Sequence, residues 1–145
     1  MIDQSHTVTI DRAVGEVFDF VAEPSNEPKW HFDVREVVRP KRGPIALGTT
    51  YEWIVRFLGT KTYVGQVTAL EPNRFIEMTT LEGPVLPQLT HTFQAEGDRT
   101  IYTRRIRFEP TGLFKVMEPF IKRMPSPNAR WAENLKLVLE GGQPK

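Results

Sequence analysis

Apolar residues recur at two different periods along this chain. Between Gly112 and Glu140 they fall at Met117, Phe120, Ile121, Met124, Trp131, Leu135 and Val138, mostly three, four or seven positions apart. Lys115, Glu118, Lys122, Arg123, Arg130, Glu133 and Lys136 occupy the positions between. That spacing predicts an amphipathic helix with one stripe to bury. Ser126-Pro127 supplies an N-cap followed by proline at the first helical position, and Gly141 supplies a stop. Pro119 and Pro125 interrupt the pattern, because an interior proline removes a backbone bond and clashes with the preceding turn. The expectation is a short or bent segment over 112–124 and a firmer helix from Pro127 to Glu140.

Elsewhere the period is mostly two, the alternation of a strand. His6 to Ile10 reads as a first strand with His6, Val8 and Ile10 facing inward. Asp11 then caps a helical stretch in which Val14, Val17, Phe18 and Val21 share a face. Pro24 to Trp30 is a short helix or turn, since Pro24, Ser25, Asn26 and Pro28 forbid anything long. Val34 to Val38 is a second strand, followed by a turn with a small basic patch, Arg39 to Arg42. Thr49 to Leu58 places Tyr51, Trp53, Val55 and Phe57 on one face, and Gly59 turns the chain into Lys61 to Leu70. Phe75 to Leu81 offers Ile76, Met78 and Thr80 on one side. Gln88 to Ala95 presents Leu89, His91, Phe93 and Ala95, and Arg99 to Phe108 presents Tyr102, Arg104, Ile106 and Phe108.

The predicted order is strand, two short helices, a run of strands joined by short turns, and a long last helix. Hairpin turns imply an antiparallel sheet, so the fold class is α+β, with about six or seven strands and one terminal helix. A strongly twisted sheet of this size tends to curl, and one helix need not fill the curl. The slot between sheet and helix is where a small molecule could sit.

The 145 residues fit one domain, 1–145. There is no cysteine, hence no disulfide framework or thiolate metal site. The net charge of +1, from 19 basic and 18 acidic residues, gives no electrostatic case for nucleic acid or an anionic membrane as the main partner. Met1 to Arg12 alternates polar and apolar residues rather than showing a charged-then-apolar leader, and no apolar run approaches the roughly 20 residues of a spanning helix. A soluble, cytoplasmic protein without stable membrane insertion is expected. No phosphate-cradling glycine loop, G-x-S-x-G or H-E-x-x-H is present, and the histidines have no metal-ligand spacing, so no metal or cofactor is expected. An unpaired edge strand leaves monomer or homodimer open.

Several stretches resemble one family. The run from Thr9-Ile10-Asp11-Arg12-Ala13-Val14 to Val21 is similar to the opening strand and helix of the START-like (SRPBCC) superfamily, in its bacterial polyketide cyclase/dehydrase and lipid-transport branch. Trp30 of Glu27-Pro28-Lys29-Trp30 resembles the tryptophan closing that family's second helix. Gly48-Thr49-Thr50-Tyr51, Glu71-Pro72-Asn73-Arg74, Arg99-Thr100-Ile101-Tyr102-Thr103 and Asn134 to Glu140 fall where the family has strand openings, turns and the end of its last helix. The resemblance implies a helix-grip fold, a curved antiparallel sheet around a long C-terminal helix with a hydrophobic cavity between. It implies no one reaction, since members bind lipids, hormones, polyketides or aromatic compounds and some catalyse.

Two functions follow as expectations. The first is binding of a small hydrophobic or aromatic ligand, lipid- or polyketide-like. Trp30, Tyr51, Trp53, Val55, Ile76, Met78, Phe93, Ile106, Met117, Ile121, Met124 and Trp131 are its candidate ligand-binding residues. The second is a polyketide cyclase/dehydrase-type enzyme in which Arg104 and Tyr102 stabilise a developing enolate and His91 moves a proton. Arg104 sits between Tyr102 and Ile106 on the predicted inner face, where a guanidinium needs an anion or carbonyl. It could hold a ligand carboxylate or enolate, or pair with an internal acid. His91 is open to either a proton-transfer role or a plain hydrogen bond at the cavity wall.

Overall fold

The computed structural model describes residues 1–40, 43–56 and 59–142. Alternating stretches form the strands β1 Ile2–Ile10, β2 Val34–Arg39, β3 Thr50–Arg56, β4 Thr60–Glu71, β5 Phe75–Glu82, β6 Gln88–Glu96 and β7 Arg99–Phe108. The helices are α1 Val14–Val21, a 3-10 segment Pro24–Lys29, α2 Leu113–Val116, α3 Glu118–Arg123 and α4 Pro127–Leu139. The seven strands make one antiparallel sheet in the order β1-β7-β6-β5-β4-β3-β2. β2 to β7 form a meander, and β1 closes onto β7 at the far edge. The link from β1 to β2 therefore crosses the whole sheet. α1 does so against β6 and β7, and the 3-10 segment against β2.

The sheet curls into a half-barrel. Register shifts in the β2–β3 pairing (Val34/Glu36 and Val37/Arg39) and the β4–β5 pairing (Val64/Gly65 and Val67/Ala69) bend it, as an extra residue in one strand does. α4 lies across the β1–β7 side of the curl. Its buried residues Asn128, Trp131, Ala132 and Leu135 follow the i, i+3, i+4, i+7 spacing of one helix face. Ser126 caps the helix, accepting from the Asn128 backbone N–H at 3.1 Å, with Pro127 in the first turn. The chain turns out of the helix at Gly141, φ +85°, a backbone shape that disfavours a side chain. The packed core lies where α1 and α4 meet the sheet, among Ile10, Val17, Phe93, Tyr102 and Leu135. Phe18 meets Phe93 edge-on at 5.2 Å between centroids. No helix among the described residues is long and apolar enough to cross a membrane.

Some local expectations need correction. β1 begins at Ile2, well before His6. His6 sits on the side of Val8 and Ile10 but meets the flank of α4, bonding Glu133 at 3.2 Å, and stays part exposed. Asp11 caps nothing. Ala13 is the N-cap of α1 and makes no side-chain bond there. The Asp11 backbone N–H is instead held by Glu140 at 2.8 Å, and its carboxylate faces Arg99. The segment before α4 breaks at Met117 into two short helices, with Pro119 in the first turn of the second. Phe120 and Met117 point to solvent, 71% and 42% exposed, because segments this short have no strand opposite their whole stripe. Phe57, and Lys41 and Arg42 of the basic turn, lie outside the described residues.

Leu135 is fully buried at the α4–sheet contact. Leu135→Ala is expected to lower stability by about 2–5 kcal/mol, the usual loss for deleting a buried leucine. Urea unfolding measures this, and a loss under about 1 kcal/mol would contradict this packing of α4.

Candidate functional site

A cavity of about 500 Å³ opens between the inner face of the sheet and the α3–α4 segment. That is within the range of small-molecule sites, about 300–1,000 Å³. Strand alternation turns Trp53 and Val55 of β3, Ile76 and Met78 of β5 and Ile106 of β7 into it. Ile121 of α3, Met124, and Trp131 of α4 form the opposite wall, and Trp30 closes one end. Met124 is 63% exposed and so lies at the rim. Gly65, also on the lining, lets the Trp53 ring lie across β4. A Cβ there would sit 2.8 Å from Trp53 Cζ3, closer than packed atoms come.

Four of the expected residues are elsewhere. Tyr51, Phe93 and Tyr102 are buried in the core and are not on the cavity wall. Tyr51 shares the inner face of β3, where its ring meets that of Trp53 at 5.9 Å between centroids. Phe93 and Tyr102 lie under α1, which covers that end of β6 and β7. Met117 is at the break between α2 and α3 and turns away from the cavity.

The cavity is apolar except around Arg104. This residue is buried, 4% exposed, and lines the wall. Its Nη1 donates to Asn128 Oδ1, while Asn128 Nδ2 donates to the Arg104 carbonyl at 2.6 Å. Its Nε is sealed from solvent without a partner among the described residues, as are Trp30 Nε1 and His31 Nδ1. Such orphans are rare in folded proteins. Glu27 accepts from Trp53 Nε1 at 2.9 Å. Burial pushes its carboxyl pKa up, opposed by the Arg104 charge and the Trp53 bond.

Both histidines here are held neutral. His91 shares a 2.6 Å hydrogen bond with the Tyr102 hydroxyl through Nδ1. Burial first, and then the Arg104 charge, lower its pKa to about 3. His31 stacks on Trp131 at 4.4 Å between centroids. Its pKa is driven well below the ordinary value by burial and by Arg104. Burial also raises the Tyr102 pKa and works against the charge on Arg104. The interior thus offers donors from Arg104, two uncharged imidazoles and one shielded carboxyl. It can bind a polar group at one end of an otherwise apolar guest. Among the described residues no group of three or more His, Asp or Glu side chains could hold a metal ion.

His91 and Arg104 meet as direct cross-strand partners on β6 and β7. Tyr102 joins them only through His91. Glu27, His31 and Asn128 stand at the site beyond the residues expected there. Asn128 was legible, since it stands three positions before Trp131 and seven before Leu135 on the same helical face. Glu27 and His31 had no such signal, because their inward direction comes from the irregular turn around Trp30.

A family model described as polyketide cyclase / dehydrase and lipid transport matches residues 1–140. Among curated proteins none matches this sequence. A START superfamily protein from Mycobacterium smegmatis superposes with a TM-score of 0.74 at 16% identity, over 95% of this chain and 97% of that one. A crystal structure of a Thermus thermophilus protein gives 0.77 at 14% identity, over 96% and 97%. The solution structure of the Aha1 dimer from Colwellia psychrerythraea gives 0.65 at 16% identity, over 98% of each chain. At these identities the likeness is one of fold.

Two outcomes test this geometry. A histidine whose folded pKa is about 3, against about 6.5 unfolded, binds fewer protons when folded throughout that interval. Its contribution to stability is therefore complete above pH 6.5 and is lost as pH falls toward 3. The slope contributed by His91 is expected to reach about 1.4 kcal/mol per pH unit. The His91 ring resonances should not titrate between pH 8 and 5, and a midpoint near 6.5 would refute the buried neutral imidazole. Gly65→Ala is expected to displace the Trp53 ring and loosen its bond to Glu27, read as a shift of indole emission. An unchanged spectrum would mean that the ring does not depend on the missing side chain.

Proposed function

Because the chain belongs to the polyketide cyclase / dehydrase and lipid transport family, we propose that it binds a small hydrophobic or aromatic molecule, lipid- or polyketide-like. The guest lies between the curled sheet and α4, with 1–145 acting as one START-like helix-grip domain. The observation behind this reading is the cavity of about 500 Å³ walled by Trp53, Ile76, Met78, Ile106, Ile121 and Trp131. Apolar surface of that extent left open inside the fold gains free energy when an apolar guest removes it from water, about 25 cal/mol per Å². The indoles of Trp30, Trp53 and Trp131 give flat faces for an aromatic ring.

A polyketide cyclase/dehydrase-type enzyme using Arg104, Tyr102 and His91 is the second reading, favoured by the His91–Tyr102 bond beside Arg104. Binding is preferred over turnover on two grounds. An imidazole with a pKa of about 3 is a weak proton acceptor at neutral pH. The Tyr102 hydroxyl is committed to His91 and is off the cavity wall.

A fluorescent apolar probe such as an anilinonaphthalene sulfonate is expected to bind the folded chain one to one with enhanced emission. Met78→Trp, which fills the middle of the cavity, should reduce uptake at least about tenfold while circular dichroism stays native. No uptake by the native chain, or equal uptake by a folded Met78→Trp variant, would overturn the binding reading.

A further inference from the structure

Resting on that reading, we infer that the natural guest is a hydrophobic monocarboxylic acid whose carboxylate seats against Arg104. The guanidinium has five N–H donors. Its side-chain bond among the described residues goes to a neutral amide, Asn128, and no described acid is in ion-pair contact with it. Glu27 acts on it only through space, since its own carboxyl is turned to Trp53. A buried guanidinium is costly unless an anion and further hydrogen bonds offset its lost hydration. Arg104 lines the cavity, so the missing anion can come from a guest.

The rest of the lining narrows the class. His31 and His91 are uncharged neighbours. Besides Arg104 and Glu27, the lining carries Asp33 and Arg56, which have opposite signs, and Arg56 is exposed. Among the described lining residues Arg104 is thus a buried cation without an ion-pair contact, with the Glu27 carboxyl acting on it through space, which suits a monoanion and disfavours a phosphate dianion. A planar carboxylate matches the guanidinium fork. The body attached to it must be apolar, because Ile76, Met78, Ile106 and Trp131 surround the remaining volume. A cationic guest is disfavoured by Arg104 itself. A neutral alcohol would leave the buried charge unanswered.

The test compares guests of one shape by isothermal titration calorimetry at pH 7 with the full chain. 2-Naphthoic acid, 2-naphthalenemethanol and 2-naphthamide share an apolar body and differ in the polar group. The acid is expected to bind at least about tenfold tighter than either neutral analogue, the scale of a charge-assisted pair over a neutral one. Arg104→Gln should collapse that ratio toward one. Glu27→Gln, which removes the competing negative charge and still accepts from Trp53, should widen it. If Arg104→Gln does not fold, the native ratio and the Glu27→Gln ratio decide the matter. An alcohol or amide that binds as tightly as the acid overturns the carboxylate inference and leaves the cavity reading standing. Failure of all three to bind, with no uptake of apolar probes, overturns both.

Discussion

Asn128 holds the last helix to the sheet at the position that matters most. Its side-chain oxygen accepts from the Arg104 guanidinium, and its amide donates to the Arg104 carbonyl at 2.6 Å and toward the Gln4 carbonyl at 3.4 Å. One side chain thus joins α4 to both β7 and β1. The residue is buried, and a buried amide is tolerated only when its donors and acceptor are used. That requirement fixes the N-terminal end of α4 over the β1–β7 edge. Trp131, Ala132 and Leu135 then fall into the core in succession. The same clasp holds Arg104 facing inward, so the helix anchor and the charged spot in the cavity are one arrangement.

With α4 pinned to that edge, the rest of the curled sheet has no helix to fill it. β3, β4 and β5 curve away on the other side, bent by the irregular pairings of β2 and β4. Side chains from those strands reach into the space, while α4 itself packs along β1 and β7. The turn after α1 supplies the closing end. The Trp30 carbonyl is held by Asn134 of α4 at 3.3 Å, and His31 stacks on Trp131. Glu27 and His31 join the strand-borne Arg104 and His91 there because the irregular chain around Trp30 turns their side chains inward without a strand's alternation. A mostly apolar chamber with polar groups at one end orients a guest as well as enclosing it.

Much of this was legible in the residues, and for physical reasons. Period-two alternation located the inner faces of β5, β6 and β7, so Ile76, Met78, His91, Arg104 and Ile106 were placed correctly by pattern alone. Ser126-Pro127 and Gly141 marked the ends of α4 because capping chemistry is local. The family's fold was legible from short motifs along the chain. Depth along a strand was not legible. Alternation tells which side Tyr51, Phe93 and Tyr102 face, but not whether a neighbour such as α1 covers them. The stripe through Met117 and Phe120 promised burial that a broken helix does not provide. Glu27 and His31 were hidden because irregular backbone has no period to read.

Ligand binding requires that this interior stay hollow. Diffraction from crystals of the protein pressurised with xenon measures it most directly, since an apolar cavity admits xenon and a packed core does not. Xenon density is expected between the Met78–Ile106 face of the sheet and Trp131, clear of the polar atoms at Arg104. A continuous filling of protein side chains there, with no xenon site, would contradict it.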